Sequence, residues 1–218
     1  MFSYSHSEAQ KMARKPLTKP RKQASQERSR ALVDTLVEAT ARILVKEGFD
    51  KASTNRIAEK AGVSVGSLYQ YFPSKEALVA AVMERHNQQI MQVVYAALAK
   101  VKALPLEQGV PKLVAAAIKA HQVDPDLHRV LAEQVPRTGK LENIEVTNRE
   151  GYVLFKAYLQ AHRDEFRAVN LELATFVCVT SIEALTHTAV LRHSDSLSDQ
   201  EFGALVDETT RLIVRYLQ

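Results

Sequence analysis

The sequence predicts an all-α protein. After about residue 25, apolar residues recur at three- and four-residue steps, which is the period of an amphipathic helix. No convincing run alternates between apolar and polar residues, and no two-residue hairpin signal joins two such runs. Proline and glycine residues fall between the periodic stretches. These observations predict helices joined by short turns.

The first helix is predicted from about Ser25 to just before Gly48. Its residues at helical spacing form a single apolar stripe: Leu32, Val33, Leu36, Val37, Thr40, Ile43 and Leu44. Gly48 follows the last of them, in the position where a glycine often ends a helix.

Two short helices are predicted next, "NRIAEKA" and "VGSLYQYF". Ser53 or Thr54 caps the first and Ser64 caps the second, because a hydroxyl there accepts hydrogen bonds from the free amides of the first turn. Gly62 ends the first of them, and its freedom to adopt a left-handed conformation suits a sharp turn. Pro73 stops the second.

The remainder is predicted to be helical as well. Ser74 opens a long helix that runs to roughly Lys100, and Pro105, Pro111, Pro125 and Pro136 divide the next part of the chain into segments. "NREGYVLFKAYLQAH", "LELATFVCVTSIEALTHTAVL" and "SDQEFGALVDETTRLIVRYL" are the longest predicted helices of the second half. The second is very apolar, but its charged and imidazole side chains fit a buried helix better than a membrane span: Glu172, Glu183 and His187.

Charge is distributed unevenly along the chain. Residues 1–75 contain 14 Lys and Arg against 7 Asp and Glu, whereas the rest of the chain has a net charge of −3. A basic N-terminal third indicates a polyanionic partner at that end, although basic tails are also common as solvated segments. Residues 1–24 are polar and basic and are predicted to be a disordered arm, which either follows a phosphate backbone or is a passive tail.

Several function classes lack their sequence signatures. The chain has no GxSxG, P-loop, HExxH or GxGxxG motif, so we expect that it is not an enzyme and needs no cofactor. Its single cysteine, Cys178, excludes an internal disulfide and is predicted to be a buried thiol. The N-terminus has no apolar signal region, and we expect a cytoplasmic protein.

The two short helices have the spacing of a helix-turn-helix unit. An apolar wedge joins them: Ile57, Ala58, Ala61, Val63 and Leu68. If Leu68 and Phe72 are buried, the outer face of the second helix carries the remaining residues: Val65, Gly66, Ser67, Tyr69, Gln70 and Tyr71. Two outward tyrosines beside a basic arm indicate phosphate contacts, although one of them could instead pack into the core.

"AGVSVGSLYQYFPSKEAL", with "ASTNRIAEK" and "ARILVKEGFDK" before it, closely resembles the DNA-binding domain of the tetracycline-repressor (TetR/AcrR) family. The resemblance covers about residues 30–80. It implies an N-terminal three-helix helix-turn-helix DNA-binding domain and a C-terminal helical domain for ligand binding and dimerisation. We accordingly divide the chain into the arm at 1–24, the DNA-binding domain at 25–75 and the effector-binding and dimerisation domain at 76–218.

The resemblance also implies roles for individual residues. Thr54 and Asn55 match positions that contact the DNA backbone. The positions that match those meeting base edges are Val65, Gly66 and Ser67. The positions that match those holding phosphates are Tyr69, Gln70, Tyr71 and Lys75. Val65 offers only an apolar contact, such as one to a thymine methyl group, so DNA shape and operator symmetry would supply much of the specificity.

The same resemblance implies a homodimer on a palindromic operator, a repressor function and release by a small hydrophobic or aromatic effector. The dimer interface would lie on the last two helices, whose apolar residues could equally belong to the core within one chain: Phe176, Val179, Leu185, Ala189, Leu205, Leu212, Ile213 and Tyr216. Candidate effector-lining residues are His121, Tyr152, Phe155, Phe176 and His187, for which ordinary core packing is the alternative. His121 and His128 flank Pro125, but the sequence shows no further ligand to complete a metal site, so no metal is predicted. A DNA-binding dimer without a ligand is the alternative function.

Overall fold

A computed structural model describes residues 27–136, 141–167, 170–192 and 197–218, with the backbone alone described for 141–149. Within these ranges the chain is all-α and contains no strand, which confirms the predicted fold class. The helices are α1 (Glu27–Glu47), α2 (Thr54–Ala61), α3 (Val65–Tyr71), α4 (Lys75–Val101), α5 (Leu106–His121), α6 (Pro125–Glu133), α7 (Leu141–Ala161), α8 (Leu171–Arg192) and α9 (Asp199–Leu217). The predicted arm at 1–24 lies outside the described residues.

The helix boundaries follow local capping chemistry. The hydroxyl groups of Ser53, Ser64 and Ser74 accept hydrogen bonds from backbone amides in the first turns of α2, α3 and α4. Gly48 and Gly62 have backbone φ angles of 81° and 69°, which a residue with a Cβ atom rarely adopts. The predicted turns of this region are therefore confirmed.

Two predicted boundaries in the second half are corrected. Pro111 does not divide α5 but lies inside it, where its missing amide removes one backbone hydrogen bond without ending the helix. The helix predicted from "NREGY" begins earlier, at Leu141. Gly151 therefore lies in the interior of α7 and does not mark its start.

The apolar residues form two separate cores. The first joins α1, α2, α3 and the first turns of α4 to α6, which contributes Leu127, Val130 and Leu131. The second joins the last turns of α4 to α5, α7, α8 and α9. The long helix α4 enters both cores, and α6 packs against α1 although it follows α5 in the chain.

Helix α8 is the one described helix long and apolar enough to cross a membrane by length and composition alone, and a core helix of a soluble protein can pass the same test. It packs against α5, α7 and α9, and its Ala174 and Cys178 are fully buried. Burial raises the pKa of the Cys178 thiol to about 12, which fits the predicted inert core cysteine.

Candidate nucleic-acid interface and apolar cavity

The turn between α2 and α3 is held by backbone hydrogen bonds. The amide of Gly62 donates to the carbonyl of Glu59 at 3.1 Å, and the amide of Val63 donates to that of Ala58 at 3.0 Å. Ile57, Ala58 and Leu68 are fully buried where the two helices meet. This packing fixes the direction of α3 relative to the first core, so the solvent-facing residues of α3 form a rigid surface.

The outer face of α3 carries most of the residues predicted to contact DNA. Gly66, Tyr69 and Gln70 are exposed, while Val65 and Ser67 are half-buried at the start of the helix. A Cβ atom added to Gly66 would find its nearest neighbour, the Ser64 hydroxyl oxygen, at an ordinary contact distance of 3.8 Å. The fold therefore does not require a glycine at position 66, and a side chain would have room there.

Two residues that are predicted to contact the DNA backbone lie next to each other. The hydroxyl oxygens of Thr54, at the start of α2, and Tyr69, on α3, are 3.0 Å apart and share a hydrogen bond. Asn55 is exposed beside Thr54. Both hydroxyl groups could donate to one phosphate oxygen, since a hydroxyl can exchange its partner by rotating its hydrogen.

The prediction that Tyr71 faces outward is wrong. Tyr71 is 6% exposed, belongs to the first core and donates a hydrogen bond from its hydroxyl to the Ser29 hydroxyl at 3.1 Å. Tyr71 follows Leu68 by three residues, so both lie on the buried face of α3. This three-residue spacing was visible in the sequence. The alternative in which one of the two tyrosines packs into the core is therefore correct.

Lys75 ties two parts of the first core together. Its ammonium group donates to the carbonyl of Phe49 at 3.1 Å and lies 4.0 Å from the centre of the Phe49 ring. These contacts join the first turn of α4 to the loop between α1 and α2. An ammonium group has three hydrogens, so this arrangement leaves donors for a phosphate as well.

A cavity of about 150 Å³ lies between α4, α5, α7 and α8. Its walls are almost entirely apolar and include Met91, Leu98, Phe155 and Ile182. Of the predicted effector-lining residues, His121 and Phe155 line it. Tyr152 instead donates its hydroxyl to Glu172, Phe176 is 57% exposed on α8, and His187 contacts the ring of His121, so their predicted lining role finds no support in this cavity.

Two ionisable groups, His121 and Glu183, line the cavity. Burial, followed by the nearby His187 and His86, lowers the pKa of His121 to about 4. Burial also raises the pKa of the Glu183 carboxyl group above its usual value. Both shifts have the same cause, because burial disfavours the charged form of either side chain.

His121 is part of a cluster of four imidazole rings, formed by His86 on α4, His121 on α5, His128 on α6 and His187 on α8. The ring centre of His128 lies 5.3, 5.0 and 4.9 Å from those of His86, His121 and His187 respectively. Burial is also the main cause that lowers the pKa of His128, to about 3, and the pKa values of His86 and His187. Sequence reasoning missed His86, because it lies 42 residues from His128 and no local pattern connects them.

Among the described residues, four of the nine exposed large apolar side chains lie on the last two helices. Leu173, Phe176 and Leu185 on α8 and Leu212 on α9 are between 40% and 57% exposed. In contrast, Ile213 is 1% exposed and belongs to the second core. The predicted interface residues thus separate into an exposed set and a core set.

Comparison with known protein families identifies the fold. A model of the tetracyclin repressor-like C-terminal domain matches residues 105–217, and a model of bacterial regulatory proteins of the tetR family matches residues 36–82. The chain belongs to the tetracycline-repressor family. Membership of this family makes it a DNA-binding transcriptional regulator rather than an enzyme, as the sequence predicted.

Curated relatives match parts of this regulator. The nucleoid occlusion factor SlmA of Haemophilus ducreyi is 29% identical over 116 residues, which are 53% of this chain and 55% of that protein. The transcriptional repressor KstR of Mycolicibacterium smegmatis is 37% identical over 68 residues, 31% of each chain. The regulator thus spans about half the length of the SlmA proteins that it matches.

Solved structures of the family share the fold over most of the chain. A TetR-family regulator from Mesorhizobium loti has a TM-score of 0.68 at 16% identity, covering 88% of this chain and 98% of that one. FadR from Bacillus subtilis, solved in complex with stearoyl-CoA, has a TM-score of 0.64 at 16% identity and covers 85% and 99%. At these identities the likeness describes the fold alone.

Proposed function

We propose that this regulator is a cytoplasmic homodimeric repressor that binds a palindromic operator through α3. The observation that carries the proposal is the exposed face of α3, where Gly66, Tyr69 and Gln70 face solvent on a helix fixed by a buried turn. Val65 and Ser67 at the start of α3 would meet the base edges. Thr54, Asn55 and Lys75 would contact phosphates at the margins of the groove.

Dimerisation would use the exposed apolar residues of α8 and α9, because Phe176 and Leu212 would then be removed from water. A two-fold dimer places two copies of α3 on successive major grooves, about 34 to 36 Å apart. The operator would then be a palindrome whose half-sites are one DNA turn apart. KstR, a relative over 68 residues, is named a repressor, which favours the same direction of regulation here.

Selection from a random DNA library by the full chain tests the operator. We expect enrichment of a palindrome and binding by two chains per duplex, measured by light scattering. Tyr69→Phe should weaken binding to the selected duplex by roughly 3- to 10-fold, because one phosphate hydrogen bond is lost. Tyr71→Phe is the matched control, since its hydroxyl contacts Ser29 inside the protein. Equal affinities of wild type and Tyr69→Phe would contradict the role of Tyr69.

We further propose that a small apolar effector binds in the cavity and lowers operator affinity. Five cavity-lining residues belong to α4, the helix that also enters the first core: Ile90, Met91, Val94, Ala97 and Leu98. An effector that displaces α4 would favour a different spacing of the two DNA-binding domains in the dimer. A cavity of about 150 Å³ can hold a molecule of about the size of benzene, and His121 and Glu183 would hydrogen-bond one polar group on the effector.

A thermal-shift screen of small apolar compounds tests the effector. We expect stabilisation of the wild type by a subset of compounds and its loss in Ala117→Leu, which fills part of the cavity. The same compounds should weaken operator binding. If no compound stabilised the protein, or if Ala117→Leu kept the response, the ligand-independent DNA-binding dimer would replace this part of the proposal.

A further inference from the structure

We propose that His121, His128 and His187 bind a divalent transition-metal ion of the kind that imidazole prefers, such as Zn²⁺, Ni²⁺ or Cu²⁺. The three side chains come from α5, α6 and α8 and meet beside the apolar cavity. Neither the DNA-binding residues nor the exposed apolar surface takes part. The proposal therefore does not depend on the proposed operator, although it shares His121 and Glu183 with the proposed effector site.

The spacing of the rings fits a shared ion. The ring centres of these three histidines are 5.0, 4.9 and 5.3 Å apart. Imidazoles that each give one nitrogen to a tetrahedral ion at about 2.0 to 2.1 Å have ring centres roughly 5 Å apart. The centres of the three rings thus already lie at the separation that coordination of one ion requires.

Unpartnered nitrogens are the second observation. His121 is 9% exposed and His128 is 8% exposed, yet the Nδ1 atom of His121 and the Nε2 atom of His128 have no hydrogen-bond partner. The Nδ1 atom of His86 is also unpartnered, so three such nitrogens lie in one cluster. A buried ring nitrogen without a partner costs free energy, and an ion that accepts the lone pairs of His121 and His128 would satisfy two of the three.

His86 would orient one of the ligands. The Nε2 atom of His86 and the Nδ1 atom of His128 are 3.0 Å apart and share a hydrogen bond. When a ring nitrogen of a histidine binds a metal, the other nitrogen is commonly hydrogen-bonded to a fixed partner. His86 occupies that position toward His128 and leaves the Nε2 atom of His128 for the ion. We therefore assign His86 as a positioning residue.

Coordination requires some rearrangement of side chains. Among the residues that the structure describes, no group of three or more His, Cys, Asp or Glu side chains forms a ready-made metal site. The rings must therefore turn about their side-chain bonds to point one nitrogen each at a common centre. Glu183 lies one helical turn before His187 on α8 and lines the cavity with His121. Its carboxylate or a water molecule could fill the fourth position of a tetrahedral ion.

The test is titration of the full chain, first stripped with a chelator, with Zn²⁺ and with Co²⁺. We expect one ion per chain and, for Co²⁺, the intense visible absorption of a tetrahedral complex. At a free ion concentration 100 times the dissociation constant, Tm should rise by about 5 to 10 °C. His128→Gln should weaken binding about 100-fold, and His86→Gln by 10- to 100-fold.

His162→Gln is the matched control. His162 is as buried as His128 but lies outside the cluster, where its Nδ1 atom contacts the Tyr158 carbonyl at 2.9 Å. This variant should bind the ion with unchanged affinity. If His128→Gln did not fold, as judged by circular dichroism, the half-buried His187→Gln variant would replace it. The proposal is overturned if the wild type takes up no ion, or if the cluster variants bind it as well as wild type.

Discussion

The DNA-binding region (α1 to α3 and the first turns of α4) and the C-terminal region (the rest of α4 to α9) are both helical, but they differ in packing and in how many buried polar groups are hydrogen-bonded. In the first, three serines cap α2, α3 and α4, and apolar residues such as Leu68 and Phe72 fill the space between the helices. In the second, a cavity lies among α4, α5, α7 and α8, and His121 and His128 keep unpartnered nitrogens. Dense packing suits a surface that must be rigid when it meets DNA, whereas loose packing and unmet polar groups suit a site that awaits a ligand.

The largest expected effect tests the difference in packing. Leu68→Ala in the first core should lower the free energy of unfolding by about 2 to 5 kcal/mol, because the residue is fully buried and its neighbours cannot collapse onto the space. Ile182→Ala, at the cavity wall, should cost less, since Ile182 already lacks contacts on one side. Urea unfolding measures both. Equal losses would mean that the cavity is not a packing defect.

The next effect compares the two tyrosines of α3. Tyr71→Phe should lower the free energy of unfolding by about 1 kcal/mol, because it removes a partly buried hydrogen bond to Ser29. Tyr69→Phe should change it by less than about 0.5 kcal/mol, since Tyr69 is 40% exposed. Thermal unfolding of the two variants gives the comparison. A larger loss in Tyr69→Phe would contradict the assignment of Tyr71 to the core and Tyr69 to the surface.

The smallest effect concerns Glu183. Burial raises the pKa of this carboxyl group, so the unfolded state loses its proton at a lower pH than the folded state does. Stability must therefore fall as pH rises from the unfolded pKa, near 4.5, through the folded pKa. Glu183→Gln should be slightly more stable than wild type at pH 7 and indistinguishable from it near pH 4. Urea midpoints at the two pH values test this, and an advantage that grows toward low pH would contradict it.

The sequence predicted the structure of the DNA-binding region better than that of the C-terminal region. The residues that begin and end helices in the DNA-binding region contact only neighbours a few positions away, so their roles were predictable from local chemistry. They are Ser53, Ser64, Gly48 and Gly62. The error at Tyr71 was also local, because its spacing from Leu68 placed both on one helix face.

The C-terminal helices depend on contacts between distant segments. The cavity forms only when α4, α5, α7 and α8 pack together, and the cluster of four histidines only when α4, α5, α6 and α8 do. No sequence pattern connects His86 with His128 or His187. For the same reason, helical periodicity did not separate the exposed Phe176 and Leu212 from the buried Ile213 on the last two helices.

The central claim is that the outer face of α3 binds DNA, and Gly66→Glu tests it most directly. Gly66 is exposed and has room for a side chain, so the variant should fold with the Tm of the wild type to within a few degrees. Fluorescence anisotropy with the selected duplex should show at least a roughly 100-fold loss of affinity, because a carboxylate would face the phosphates and bases. Gln160→Glu, an equal charge change on the exposed surface of α7, should leave affinity within about threefold of wild type. If folded Gly66→Glu bound the duplex as tightly as Gln160→Glu does, α3 would not be the DNA-binding surface.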